Sequence, residues 1–148
     1  VDLGLWLTDA PVRRVRSHYG PIDARTGIPM EAVVLIETEA EQTVLVHGSY
    51  LAHFRLYDTL VVSERESWFE DIPAATVRTG DGVQAIESEQ ANCARATRDF
   101  VAAVREGRAP RTTGASVLPA MRVLQRVQDD WDRRFGARSL PGRPLDGP

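Results

Sequence analysis

The chain contains no lysine: all 18 of its basic residues are arginine. Chemistry that needs a lysine amine, such as a Schiff base or a phosphate-loop lysine, therefore cannot come from these 148 residues. Arginine-only usage fits GC-rich coding, so no function is read from it. Cysteine is nearly absent as well. Cys93 stands by itself, which excludes an internal disulfide and any multi-cysteine metal site. Its helical setting among small residues predicts a small core side chain rather than a nucleophile. Histidine occurs three times, at His18, His47 and His53, with no pair at helical metal spacing, so no metal is expected. No apolar run approaches the length of a membrane span, and no signal-peptide pattern is present. A net charge of -3 and a pI near 5.6 lack the basic footprint of a nucleic-acid binder. There is no glycine-rich dinucleotide loop and no G-x-S-x-G.

What remains is ordinary globular composition, 43% hydrophobic and 26% charged, at the size of one domain. The pattern falls into three zones. In VDLGLWLTDAPV, Leu3, Trp6 and Leu7 recur at helical spacing, and Asp9 and Pro11 close the helix. Two turns are marginal for an isolated helix, so this piece reads as the end of a longer one. From about Val12 to Ile86 the chain reads as strands. VRRVRSHY comes first, and PIDARTGIPM is a loop. EAVVLIETE and QTVLVHGSYL form a hairpin turning at Ala40 and Glu41. TLVVSERESWFED is a strand pair or one bent strand. TVRTGDGVQAI carries a tight turn at Gly80-Asp81-Gly82, which explains those glycines better than a phosphate loop does.

The third zone is helical. Ser88 is the expected N-cap of a helix whose stripe is Cys93, Ala96, Phe100, Ala103 and Val104, with Gly107 past its end. A second helix has Pro119 in its first turn, a face of Ala120, Leu124, Val127 and Trp131, and Gly136 at its end. Strands followed by helices predict an α+β fold: an open, mostly antiparallel sheet with helices packed on one face. That domain is expected over 1–136, followed by a Pro- and Gly-rich tail over 137–148. The strands do not alternate cleanly. Val34 and Ile36 lie on one face of EAVVLIETE, with Val33 and Leu35 on the other. TLVVS sets Val61 against Leu60 and Val62 in the same way. Helices on one side leave the other apolar face for another protein surface, most simply a second copy. A segment outside the chain is the alternative cover.

RDFVAAVREGRAPRTTGASVLPAMRVLQRV resembles the closing helices of the Gfo/Idh/MocA family, which includes glucose–fructose oxidoreductase and inositol dehydrogenase. Phe100, Ala103, Gly107, Pro110, Gly114, Ala120 and Leu124 fall in the family's order. DLGLWLTDAPV resembles the family's helix and its exit into a strand, through Asp2, Leu3, Trp6, Leu7, Pro11 and Val12. Ser63-Glu64-Arg65-Glu66 stands where the family often has glycines, and Asp129-Asp130-Trp131 where it often has a serine. The resemblance implies a cytoplasmic, bacterial, NAD- or NADP-dependent oxidoreductase whose Rossmann domain and catalytic lysine lie outside this chain. Asp2 matches the Asp of the family's H-x-x-D arrangement, which places the catalytic histidine just before Val1. The chain is then a C-terminal domain, inactive and without cofactor by itself. Its parent acts on a sugar, cyclitol or related hydroxyl or carbonyl compound. The domain supplies part of the small-molecule substrate pocket and a homo-oligomer interface on the open sheet. In HFRLYDTLVV, which leads into the family's central strand, His53 and Arg55 are the candidate substrate contacts, two apart and on one side of a strand, with Asp2 a third. The competing reading is a non-catalytic binding or oligomerisation module.

Overall fold

A computed structural model describes residues 1–54 and 56–136. The chain divides into two compact units. One comprises Val1–Leu51 together with the chain from Gly114, and the other is Ala52–Thr113. Every strand pairing is antiparallel, as expected for the α+β class, but the strands form two sheets rather than one. The tail over 137–148 lies outside the described residues.

The first unit is a three-stranded sheet of β1 (Val12–Tyr19), β2 (Glu31–Thr38) and β3 (Thr43–Ser49), in that order, with α1 (Asp2–Thr8) and α3 (Gly114–Phe135). Val12 faces Thr38 and Arg14 faces Glu37, so Arg13 is an extra residue in β1. This β-bulge has a clear cause in the sequence. Val12 and Val15 are three apart, and strict alternation would send them to opposite faces. The inserted residue lets both pack on the core, with Arg13, Arg14 and Arg16 left exposed. From Val15 onward the inner face carries Val15, Ile36 and Val44 in one row and Ser17, Val34 and Val46 in the next. Leu5 of α1 and Ala120 and Val123 of α3 close over Val34 and Ile36. α1 ends where Asp9 takes a left-handed conformation (φ 46°) and donates its N–H to the Leu5 carbonyl at 3.1 Å. The hairpin turns as expected: Thr38 N donates to the Gln42 carbonyl at 3.0 Å, and Gln42 N donates to Thr38 Oγ1 at 3.1 Å. The C-terminal half of α3 is held to β1 by Tyr19. Its hydroxyl donates to the Val127 carbonyl at 2.8 Å, and its ring meets Trp131 edge-on at 4.9 Å.

The second unit is a four-stranded meander of β4 (Asp58–Val62), β5 (Ser67–Asp71), β6 (Thr76–Thr79) and β7 (Gly82–Ala85), followed by α2 (Glu89–Glu106). TLVVSERESWFED is thus a strand pair. Its turn is tied by Ser63 Oγ, which accepts from Glu66 N at 3.1 Å and donates to the Glu66 carbonyl at 2.8 Å. This supplies in side-chain bonds what glycine supplies in other turns. Ser88 caps α2 by accepting from Ala91 N at 3.3 Å, and Gly107 (φ 64°) ends it. Asp99 then knots the exit loop: its carboxylate accepts from Arg111 N at 2.9 Å and from Arg108 Nη2 at 3.0 Å.

Four expectations give way. Cys93 is exposed, not a core residue. Of the predicted α2 stripe Ala103 is buried, whereas Phe100 and Val104 are 59% and 67% exposed. Periodicity says which residues share a face but not that anything covers it. In α3 the expected Ala120 is buried, but its core neighbour is Val123 rather than Leu124, which is about half exposed, because one position moves a side chain about 100° around a helix. Pro119 also falls inside α3 rather than in its first turn. The carbonyl it leaves without a helix donor is that of Ala115, an exposed residue whose carbonyl water can serve.

Two predictions follow from unit 1. A β-carbon at Gly4 would overlap Val44 Cγ1, because α1 lies directly on the sheet. Overpacking of this kind costs about 1–3 kcal/mol and outweighs the roughly 1 kcal/mol of helix propensity that Ala gains over Gly. Gly4→Ala should therefore lower the denaturant midpoint, and adding Val44→Ala should abolish the effect of the alanine. Burial pushes the Tyr19 phenol above its ordinary value of 10.0. The unfolded chain then loses this proton before the folded one does. Stability from Tyr19 is complete below pH 10 and falls as pH rises through the folded value. Unfolding followed from pH 8 to 11 should show this loss in the parent chain and a flatter profile in Tyr19→Phe.

Candidate functional site

Two surfaces carry enough chemistry to be considered, one in each unit. In the second unit a cleft of about 330 Å³ opens between the end of the meander and the first half of α2. That is the lower range of small-molecule sites and the size of a monosaccharide rather than a dinucleotide. Its apolar surface includes Ile72, Ile86 and Ala96, and its polar groups include Tyr57, Glu70 and Asn92. Each is placed by local rules. Ile72 N donates to the Tyr57 carbonyl at 3.0 Å, which fixes the entry to β4 beside the exit of β5. Alternation puts Glu70 on the same face of β5 as Trp68. Asn92 sits one turn into α2, where its N–H donates to the Ser88 carbonyl at 3.0 Å and its amide reaches the Glu87 carbonyl at 3.4 Å. Glu87, also on the rim, is paired with Arg95 at 2.9 Å. The Asn92 amide is already engaged, donating to the Glu87 carbonyl and accepting from Arg95 Nη2 at 2.8 Å, so Tyr57 and Glu70 are the polar groups left to meet a polyhydroxylated ligand. Among the described residues no cluster of His, Cys, Asp and Glu is placed to hold a metal.

Neither His53 nor Asp2 lines this cleft. His53 is exposed, in a bend before β4 rather than on a strand. Arg55 lies outside the described residues. Asp2 occupies the first turn of α1 in the other unit, where its negative charge suits the helix N-terminus. The cleft residues of the same stretch are later ones: Tyr57, four positions after His53, lines it. Glu70 was not singled out, although alternation along SWFED puts its carboxylate on the face of Trp68. Asn92 was not, because nothing in a helix pattern distinguishes it from a solvated side chain.

The second surface is the outer face of the three-stranded sheet. Register places Arg16, Leu35 and Leu45 in one row and His18, Val33 and His47 in the next, with Glu31 and Glu37 at the two ends of β2. Leu45 is 66% exposed. Around this apolar centre the rim is paired: His47 Nε2 lies 2.7 Å from Glu31 Oε1, and Arg13 and Arg16 lie 3.6 Å and 3.4 Å from Glu37. An apolar middle inside a charged rim is the anatomy of a protein interface. The expectation of two apolar faces on β2 therefore holds at the level of geometry.

No protein-family model and no curated protein sequence matches the chain. Among solved structures, the chain is similar in fold to the UDP-N-acetylglucosamine 3-dehydrogenase GnnA from Acidithiobacillus ferrooxidans, with a TM-score of 0.70 at 19% sequence identity. The match covers 84% of this chain and 42% of that one, so the chain corresponds to less than half the length of the dehydrogenase whose fold it shares.

Proposed function

We propose that the chain is the substrate-side, C-terminal part of an NAD(P)-dependent oxidoreductase acting on a sugar, cyclitol or related hydroxyl or carbonyl compound. The observation that carries this reading is the fold shared with a sugar-nucleotide dehydrogenase. The order of helix, strands and two closing helices noted in the sequence supports it independently. In such an enzyme the nicotinamide accepts hydride while a base takes the hydroxyl proton, and the protein's task is to hold the carbon against the cofactor. NAD or NADP then binds to a part of the parent that this chain does not contain, and the chain by itself binds none. His53 and Arg55 contact substrate from the segment before β4, the arginine through its fork of donors. Asp2, in the first turn of α1, is the third candidate contact. The open cleft at Tyr57, Glu70 and Asn92 gives the same unit a hydrogen-bonding wall of monosaccharide size.

The test is kinetic and uses the full-length enzyme with its substrate. Arg55→Ala is expected to lower kcat/KM at least tenfold, about 1.4 kcal/mol of transition-state binding. Wild-type kinetics in both Arg55→Ala and His53→Ala would remove these residues from the pocket.

The outer sheet face supports a second role, association with another copy of the chain, and that role stands with or without catalysis. Leu35 lies on the face opposite Val34 and Ile36, so an arginine there meets the partner and not the core. Sedimentation equilibrium should show a reversible dimer for the 148-residue chain and monomer for Leu35→Arg, with unchanged circular dichroism. A monomeric parent chain at millimolar concentration would exclude the role.

A further inference from the structure

The cleft of the second unit carries charge of one sign. Of the described residues that line it, the charged ones are Glu70, Glu87 and Glu89, with no arginine or histidine beside them. The three carboxylates are not equivalent. Glu87 is paired with Arg95 at 2.9 Å. Glu89 stands in the first turn of α2, where the helix N-terminus favours a negative charge. Glu70 has neither. It sits in β5, a strand paired on both sides, between Thr59 and Val77, which are both uncharged. Its carboxylate makes no hydrogen bond or ion pair to a described residue, and it lines the cleft. The N-terminus of α2 would also draw an anionic ligand, but the chain's own groups already occupy that place. Ala91 N donates to Ser88 Oγ at 3.3 Å, and Glu87 and Glu89 flank the cap.

The geometry points to a cleft that takes a sugar or cyclitol ring bearing only hydroxyls and turns away the same ring carrying a phosphate, with Glu70 as the residue that decides. The inference rests on the oxidoreductase reading above and narrows its substrate class to unphosphorylated rings. An ionised carboxylate only accepts hydrogen bonds, and its two oxygens can take the O–H groups of two neighbouring ring hydroxyls. The Tyr57 hydroxyl can donate or accept beside it. Ile72, Ile86 and Ala96 offer apolar surface to the C–H face of the ring. A phosphate on that ring carries a charge of about −1.5 to −2 at pH 7. It would stand near the Glu70 carboxylate in a cleft partly shielded from water, where repulsion is stronger than in bulk solvent. No described side chain lining the cleft offers the guanidinium fork that would hold a phosphate there.

Cys93 reports directly on whether the cleft is occupied. It is the chain's one cysteine, it is exposed, and it lies on the cleft wall. Alkylation of the folded 148-residue chain by iodoacetamide, an uncharged reagent, is followed by mass spectrometry, with circular dichroism to verify the fold. The probes are myo-inositol and its 1-phosphate, and glucose and glucose 6-phosphate, each raised to about 50 mM to saturate a millimolar site. At least one neutral ring is expected to slow alkylation saturably by fivefold or more, and its phosphate to slow it by less than twofold. In Glu70→Gln, which keeps the side chain's shape and removes its charge, the two members of that pair should protect within twofold of each other. Equal or better protection by the phosphorylated ring in the parent chain overturns the inference. A preference unchanged in Glu70→Gln also overturns it, because Glu70 then does not decide. No saturable protection by either neutral ring overturns the cleft as a sugar site. No cofactor or turnover enters this measurement. Its failure therefore leaves the oxidoreductase reading to the kinetics of the Arg55 and His53 variants, and failure of those kinetics leaves the cleft's preference standing.

Discussion

One inserted residue sets the side-chain order of the first unit. Without the bulge at Arg13, β1 could bury Val12 or Val15 but not both. With it, both valines join the core under α1 and α3, and the arginines of the same strand gather on the other side. The edge strand thereby gains a hydrophobic inner face and a charged outer one. It also becomes a poor template for further strand pairing, which charged side chains on an edge discourage. The ion pairs of Arg13 and Arg16 with Glu37 are exposed and contribute little to stability. Their consequence is positional: they fix where charge lies on the outer face.

The strands, turns and caps were legible because each is written in few, local residues. Ser88, Gly107 and Asp9 sit at element ends for reasons of backbone geometry that hold in any context. The hairpin after Thr38 and the turn at Gly80 are equally local. What was not legible depends on distant partners. The exposure of Phe100, Val104 and Cys93 cannot be read from a stripe, since the stripe is the same whether covered or bare. The division into two sheets is a matter of which strands find each other.

The site was less legible than the fold for a related reason. Residues of one hydrogen-bonding set come from β4's approach, β5 and α2, and their side chains converge because the meander and helix bring them together. Tyr57 and Asn92 are 35 positions apart and share no motif. The two apolar faces of β2 were readable because both are written in one strand. The likeness in fold to a sugar-nucleotide dehydrogenase at 19% identity shows the same asymmetry: the architecture agrees where most side chains differ.

The second unit interrupts the first in the chain, entering after Leu51 and leaving before Gly114. The core of the first unit needs Ala120 and Val123 from beyond that interruption. During synthesis, the sheet of β1, β2 and β3 therefore leaves the ribosome with its inner face covered by α1 alone and waits until the whole of Ala52–Thr113 and the first turns of α3 have followed. The second unit has no such wait, since all of its strands and α2 are contiguous. Translation makes the inserted unit the first that can finish folding, and the unit that begins the chain the last.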